Sequence, residues 1–323
     1  MKNKDVAVLL IAFGRVDYAR QTFESIKKAQ PAKFYFYTNK GRADHPDECQ
    51  RNEIVKSMAK EVDWPCEFKT WFRDEPVGVL DSIRLAIDWV FQNEEMAIVM
   101  EEDCVGAPSW YDFASEMLVR YKDDQRIWMI GGSNYAEDYN PLGYSYHFSR
   151  NFFINGWASW RDRWNKVPWG HLDYDKLIKS DAIASYYTSK RERDFHIDRV
   201  KTFGKKVEED LCWDFAFWYT AVENFAFSIT PFRHLVQNIG LEGVHQGLLA
   251  KLRGKSLKVP YNPITFWEKE IKDMRHPDVI CPEKKFDDLV FKRWVSKMRV
   301  WYVEIPRKIY HIVKRTPLMS NKS

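Results

Sequence analysis

Three acids stand side by side at Glu101, Glu102 and Asp103, in the stretch IVMEEDCVGAPSW that runs from Ile98 to Trp110. Carboxylates this close repel one another unless something cationic sits among them. A metal ion, a pair of acids sharing a proton, or a well-solvated loop would each answer the problem. Mg2+ and Mn2+ take oxygen ligands, often one or two carboxylates with phosphate oxygens and water completing the shell. Side chains alternate in direction at a strand end, so Asp103 and Glu101 are expected to point one way and Glu102 aside. Two further residues could do chemistry. Asp214 lies between Trp213 and Phe215 in CWDFAFWY, and burial in apolar company raises a carboxyl towards the pKa of a useful base. Bonding to a backbone amide is its bland alternative. His245 sits in EGVHQG between Gly243 and Gly247. A loop of that kind can close over phosphates, with the imidazole on a metal or a phosphate oxygen; a loop His without such a role is the alternative.

These residues need a scaffold, and the first 130 residues supply a regular one. Val6–Phe13, Lys33–Tyr37, Glu67–Phe72, Met96–Met100 and Ile127–Ile130 read as strands. Tyr18–Lys28, Glu48–Val62, Leu80–Gln92 and Ser109–Tyr121 show helical spacing, with Pro108 suited to a first turn. The alternation predicts an α/β fold with a mostly parallel central sheet covered by helices on both faces. Ligands of such sheets bind outside the carboxyl ends of the strands. Arg15, Asn39 and the acid triplet all fall there. No GxGxxG follows the first strand and no GxxxxGK[ST] occurs, which disfavours a dinucleotide site and a P-loop. From Tyr144 the pattern loosens into aromatic-rich pieces, and SKRERDFHIDRVKTFGKKVEED (189–210) looks solvated on nearly every side.

Hydrophobic residues at 45% and charged residues at 30% are those of a globular protein. The five cysteines are odd in number and scattered, without a CxxC. That pattern fits reduced thiols and a cytoplasmic setting. The opening MKNKDVAVLLIAFG mimics a signal peptide, but its apolar run is better explained as a buried first strand. Nothing approaches the ~20 apolar residues of a membrane span. From Lys292 to Ser323 nine Lys/Arg face one acid, a net +8, which leaves −4 on the rest of a chain whose total is +4. Trp, Tyr, Ile and Val interleave with those cations, which suits either peripheral contact with an anionic inner membrane face or packing onto the acidic body. The basic residues match no nucleic-acid module, so no nucleic-acid partner is expected.

Four blocks together resemble the GT-A fold glycosyltransferases, which use nucleotide-diphospho-sugar donors, and among them the group of N-acetylglucosaminyltransferase I and its bacterial relatives. They are VMEEDCVGAPSWYDFASEML, YSYHFSRNFFINGWASWRDRWNK, CWDFAFWY and HLVQNIGLEGVHQG. Their order and spacing over roughly residues 5–250 carry the resemblance; Glu102 stands where the family usually has Asp, and the tail lies outside it. The resemblance implies a GT-A (Rossmann-like) domain over 1–250, with 251–323 as a basic, partly helical extension. It implies a metal-dependent, inverting glycosyltransferase using Mn2+ or Mg2+ to move a sugar, from a UDP-sugar by preference, to a glycan or glycolipid hydroxyl in surface polysaccharide synthesis. Asp103 and His245 would serve the metal. Arg15, Asn39, Glu101, Glu102, Gly156 and Trp157 would bind the donor, and Asp214 would be the base. A sugar-nucleotide pyrophosphorylase-like enzyme is the alternative, although AFGRVDYAR supplies only one glycine where that class has a Gly-rich signature. An inactive nucleotide- or sugar-binding module is a third reading.

Overall fold

The computed structural model describes residues 5–169, 172–204, 213–240, 271 and 273–302. The run AVLLIA forms β1 (Ala7–Ala12), and all six of its residues are buried, as a strand covered on both faces requires. β2 (Lys33–Thr38) and β3 (Glu67–Phe72) lie parallel on one side of β1, and β4 (Met96–Glu101) lies parallel on the other. The intervening helices are α1 (Val16–Ala29), α2 (Pro46–Ser57) and α3 (Val79–Asn93). A short strand β5 (Cys104–Gly106) and α4 (Pro108–Arg120) follow β4, with Pro108 in the first turn of the helix. The segment expected to be one helix over 48–62 instead tightens into a 3-10 turn at Met58–Glu61. That turn brings the buried Met58 onto the same core as Trp64.

The second half of the sheet is mixed. Among the described residues β6 (Ile127–Gly131), β7 (Tyr146–Ser149), β8 (Trp157–Trp160) and β9 (Phe227–Pro231) complete eight strands in the order β3-β2-β1-β4-β8-β6-β9-β7. β8 enters antiparallel to both β4 and β6, β7 is antiparallel to β9, and the other pairs are parallel. The expected mostly parallel α/β sheet is therefore present. A separate antiparallel pair joins β5 to β10 (Val236–Asn238).

Period-2 alternation divides the core between the two faces. Phe34, Phe36, Ile98 and Met100 pack on one face with α1 and α4. Tyr35, Tyr37, Ala97 and Val99 pack on the other with Ile87 and Val90 of α3. Trp213 and Phe217 of α9 (Trp213–Glu223) join that second cluster. Glu101 continues the Ala97–Val99 series.

Among the described residues four further helices lie between β8 and α9: α5 (Arg161–Trp164), α6 (Tyr174–Lys179), α7 (Ala182–Tyr186) and α8 (Lys190–Gly204). The charged stretch expected to be solvated is thus largely helical, and it is not solvated all round. Glu192, His196 and Val200, four apart, form a buried stripe on α8. The final described helix, α10 (Lys284–Tyr302), buries Phe286, Asp287, Val290 and Phe291 against the body. Among the described residues no helix is long and apolar enough to cross a membrane.

Candidate active site

The acid triplet forms the end of β4 and the turn into β5. The cation among the three acids is Arg15, at the start of α1. Glu102 is buried, and its Oε2 accepts the backbone N–H of Phe13 at 2.8 Å while its Oε1 accepts Nε of Arg15 at 2.5 Å. Thr22 Oγ1 donates to the Glu102 carbonyl at 2.9 Å. Glu102 therefore holds the β1–α1 turn; it is not turned aside from Asp103 as expected, because both carboxylates face Arg15. Arg15 Nη1 reaches Asp103 Oδ2 at 2.9 Å, so one guanidinium spans two carboxylates. Burial opposes the charge on Arg15, but Asp103 and Glu102 outweigh it and its pKa rises.

Asp103 is held from the other side by β10. Asn238 Nδ2 donates to Asp103 Oδ1 at 3.1 Å, and Ile239 N donates to the Asp103 carbonyl at 2.8 Å. A Cβ at Gly240 would lie 2.2 Å from Asp103 Oδ2 and 3.1 Å from Arg15 Nη1, so a side chain there would have to displace the Asp103–Arg15 pair. The Cys104 thiol is held well above its usual pKa, first by burial and then by Asp103 and Glu101. It is a packing residue, not a nucleophile.

Glu101 feels no such neutralisation. Burial first, then repulsion from Asp103 and Asp214, push its carboxyl up to about 8, with Arg15 opposing them. Asp214, from the far half of the chain, is thus brought within electrostatic range of the triplet. It lies in the first turn of α9, where its Oδ1 accepts the N–H of Phe215 at 2.9 Å. It is partly exposed, so the burial expected from its apolar neighbours is incomplete.

Trp157 and Gly156 fix where α9 begins. Trp157 is fully buried in β8, opposite Val99 of β4, and stacks on Trp213 with ring centroids 5.2 Å apart and planes at 21°. Gly156 has φ +63, and a Cβ there would meet Val236 at 2.5 Å. Both are core positions beside the acids. Asn39 directly follows β2, and its side chain ties down a neighbouring loop: Nδ2 donates to the Val77 carbonyl at 2.8 Å, and Oδ1 accepts Val77 N at 3.2 Å. His245, with Gly243 and Gly247, lies outside the described residues.

Sequence reasoning quoted the stretch of Asn238 and Gly240 without giving either a role, and it missed Asn155 and Asn52. Asn155 Oδ1 accepts from Asn238 at 3.4 Å, and Asn52 Nδ2 bridges the carbonyls of Phe13 and Asn39 at 2.8 and 3.0 Å. Asn238 and Gly240 sit inside the quoted QNIG stretch, where a polar residue followed by glycine after an apolar strand was the available signal.

Among the described residues no group of three or more His, Cys, Asp or Glu converges as a metal site. Asp103 has one oxygen on Arg15 and the other on Asn238. The site therefore offers a divalent ion one or two carboxylates and no cage. That fits Mg2+ or Mn2+ only as such ions commonly bind beside phosphates, with substrate oxygens and water supplying the remaining ligands.

No protein-family model and no curated protein matches the chain. Solved structures match parts of it. A mannosyltransferase from Pyrobaculum calidifontis, in complex with GDP-Man and Mn2+, is 13% identical over 50% of this chain, with a TM-score of 0.37. This chain spans 46% of that protein's length. A UDP-glucose pyrophosphorylase complexed with UDP-glucose is 10% identical, covering 68% of this chain and 98% of its own, with a TM-score of 0.30. A glycosyltransferase involved in glycosylating the major capsid of PBCV-1 is 12% identical, covering 60% and 99%, with a TM-score of 0.24.

Proposed function

We propose that the protein is an inverting, metal-dependent glycosyltransferase of GT-A type that moves a sugar from a nucleotide-diphospho-sugar, with UDP as the expected nucleotide, to a glycan or glycolipid hydroxyl. The observation that carries this reading is Asp103 paired with Arg15 beside Glu101 at the carboxyl end of β4, with Asp214 close enough to push the Glu101 carboxyl up. The four-block sequence resemblance supports it independently. Asp103, together with His245, would hold Mn2+ or Mg2+, which when bound would neutralise charge developing on the leaving diphosphate. Arg15, beside it, adds a fixed positive charge on the same side. Glu101 orients the donor sugar, and Gly156 and Trp157 shape the floor beneath it.

In the transfer step Asp214 accepts the proton of the acceptor hydroxyl. The hydroxyl oxygen forms a bond to the anomeric carbon, the bond from that carbon to the diphosphate oxygen breaks, and the nucleoside diphosphate leaves with the electron pair. Attack opposite the leaving group inverts the anomeric centre. The acids of the triplet serve the donor, so the base must come from another element, and α9 supplies Asp214. A thermal-shift panel of UDP, GDP, CDP and dTDP, each with Mn2+ or with chelator, tests the donor half of the reading. One nucleotide should stabilise the protein strongly and only with metal. Equal or absent stabilisation under all conditions contradicts it.

A further inference from the structure

The outer edge of the sheet carries a feature that the proposed transfer chemistry does not use. β3 is the edge strand, and between it and α3 lies a groove of about 330 Å3 lined by Thr70, Trp71, Leu85, Asp88, Trp89 and Gln92. Both tryptophans are partly exposed, in contrast to Trp110, Trp128, Trp157 and Trp164, which are fully buried. Their rings are held edge to face in a chain from Tyr37 to Trp71 (5.2 Å), Trp71 to Trp89 (5.7 Å) and Trp89 to Tyr35 (5.0 Å). A platform locked this way needs little ordering when a ligand arrives.

Its polar groups are few and fixed. Asp88 Oδ1 accepts Trp164 Nε1 at 2.6 Å, which orients the carboxylate and leaves its second oxygen without a hydrogen bond among the described residues. Gln92 and Thr70 are exposed at the rim. Among the described residues Asp88 is the one charged residue of the lining, and the guanidinium of Arg73 lies over the Trp71 ring at 5.5 Å from its centroid. Aromatic faces with a carboxylate and an amide beside them suit a pyranose ring, whose C–H face is apolar and whose hydroxyls pair with acceptors and donors in its plane.

Register relates this groove to the acids. Trp71 pairs with Tyr37, Tyr37 with Ile11, and Ile11 with Glu101, so Trp71 and Glu101 lie in one row across the sheet. Three interstrand steps separate them, roughly 14 Å. Residues of one row share a face, and α3 and α9 both pack on that face. Tyr37 and Ile11, between them in that row, are buried beneath α3, so a glycan joining the groove to the acids passes around α3 and not straight along the row.

We propose that the Trp71–Trp89 groove is a saccharide-binding subsite that holds an uncharged pyranose of a glycan at a distance from the point of transfer. The assignment of that glycan as the acceptor rests on the glycosyltransferase reading above; saccharide binding itself does not. The test uses the full chain on an array of neutral and acidic oligosaccharides, with hits measured by calorimetry. Neutral pyranosides should bind, Trp71→Ala should weaken them by about tenfold, and the rim variant Gln92→Ala should weaken them several-fold with an unchanged melting temperature. The nucleotide-dependent thermal shift should be the same in both variants as in the native protein. Absence of neutral oligosaccharide binding, or binding equally strong in both variants, overturns the proposal. Binding that depends on Trp71 in a protein showing no nucleotide shift keeps the groove and removes its link to transfer.

Discussion

Replacing Arg15 by Met keeps most of the aliphatic stem and removes the cation that Glu102 and Asp103 share. The guanidinium bonds Glu102 at 2.5 Å and Asp103 at 2.9 Å, and the two carboxylate side chains are only 9% and 13% exposed. Breaking one side of a buried ion pair costs about 3–5 kcal/mol, because the partner charge is left uncompensated. Arg15 itself is 35% exposed, so solvent screening brings the expected loss down to about 2 kcal/mol. Urea unfolding at pH 7 measures it, with an unchanged m-value expected. Combining Arg15→Met with Glu102→Gln should cost less than the two single changes added, with a coupling of about 1 kcal/mol or more. If Asp103 is also the metal ligand, Mn2+ should stabilise Arg15→Met more than the native protein, since the ion replaces the missing charge. A loss below about 0.5 kcal/mol, within the range of ordinary surface changes, or strict additivity in the cycle, would refute the view that Arg15 neutralises the triplet.

Other expectations follow from single residues. Glu192 is buried on α8 facing Asp287 and Asp288 of α10, with Arg150 and Lys284 as the nearby cations, and burial followed by repulsion from the two aspartates pushes its carboxyl up to about 8. The unfolded chain releases that proton at a lower pH, so the folded state loses stability as pH rises from about 4.5 towards 8. Glu192→Gln should therefore raise the melting temperature at pH 8 and leave it nearly unchanged at pH 4.5. Gly156→Ala forces a side chain into φ +63 and within 2.5 Å of Val236; together strain and overpacking should cost about 2–4 kcal/mol in urea unfolding. Gly240→Ala places a methyl 2.2 Å from Asp103 Oδ2 and should abolish metal-dependent nucleotide stabilisation in thermal shift, with a smaller loss of fold stability than Gly156→Ala. For the basic tail, flotation with anionic liposomes should show salt-sensitive binding that is lost on truncation after Phe291.

Much of the scaffold was legible because its signals are local. β1, β2, β3 and β4 are apolar or aromatic runs, and the helices between them keep their apolar residues at helical spacing, so each element announces itself within its own segment. β5 and β10 are three residues each and exist because Cys104–Gly106 pairs with Val236–Asn238 across more than a hundred residues. No local pattern encodes such a pairing. The insertion of β8 between β4 and β6 reverses the strand direction for the same long-range reason. On α8 the buried stripe contains Glu192 and His196, so a polarity count hid it. At the site the acids were legible by type, whereas the identity of their cation was not. Arg15 meets Glu102 and Asp103 only because β1 and β4 are neighbours in the sheet.

The most direct test of the account is transfer itself. The native protein and Asp214→Asn are incubated with the nucleotide-sugar and Mn2+ selected by thermal shift and with a neutral oligosaccharide acceptor, and the product is read by mass and by the anomeric signal in NMR. The expected result is a glycosylated acceptor of inverted configuration, a rate lower by ~10²–10⁴ in Asp214→Asn, and the same metal-dependent thermal shift in both proteins. A product that retains the donor's configuration, or a variant that transfers at the native rate, would contradict it.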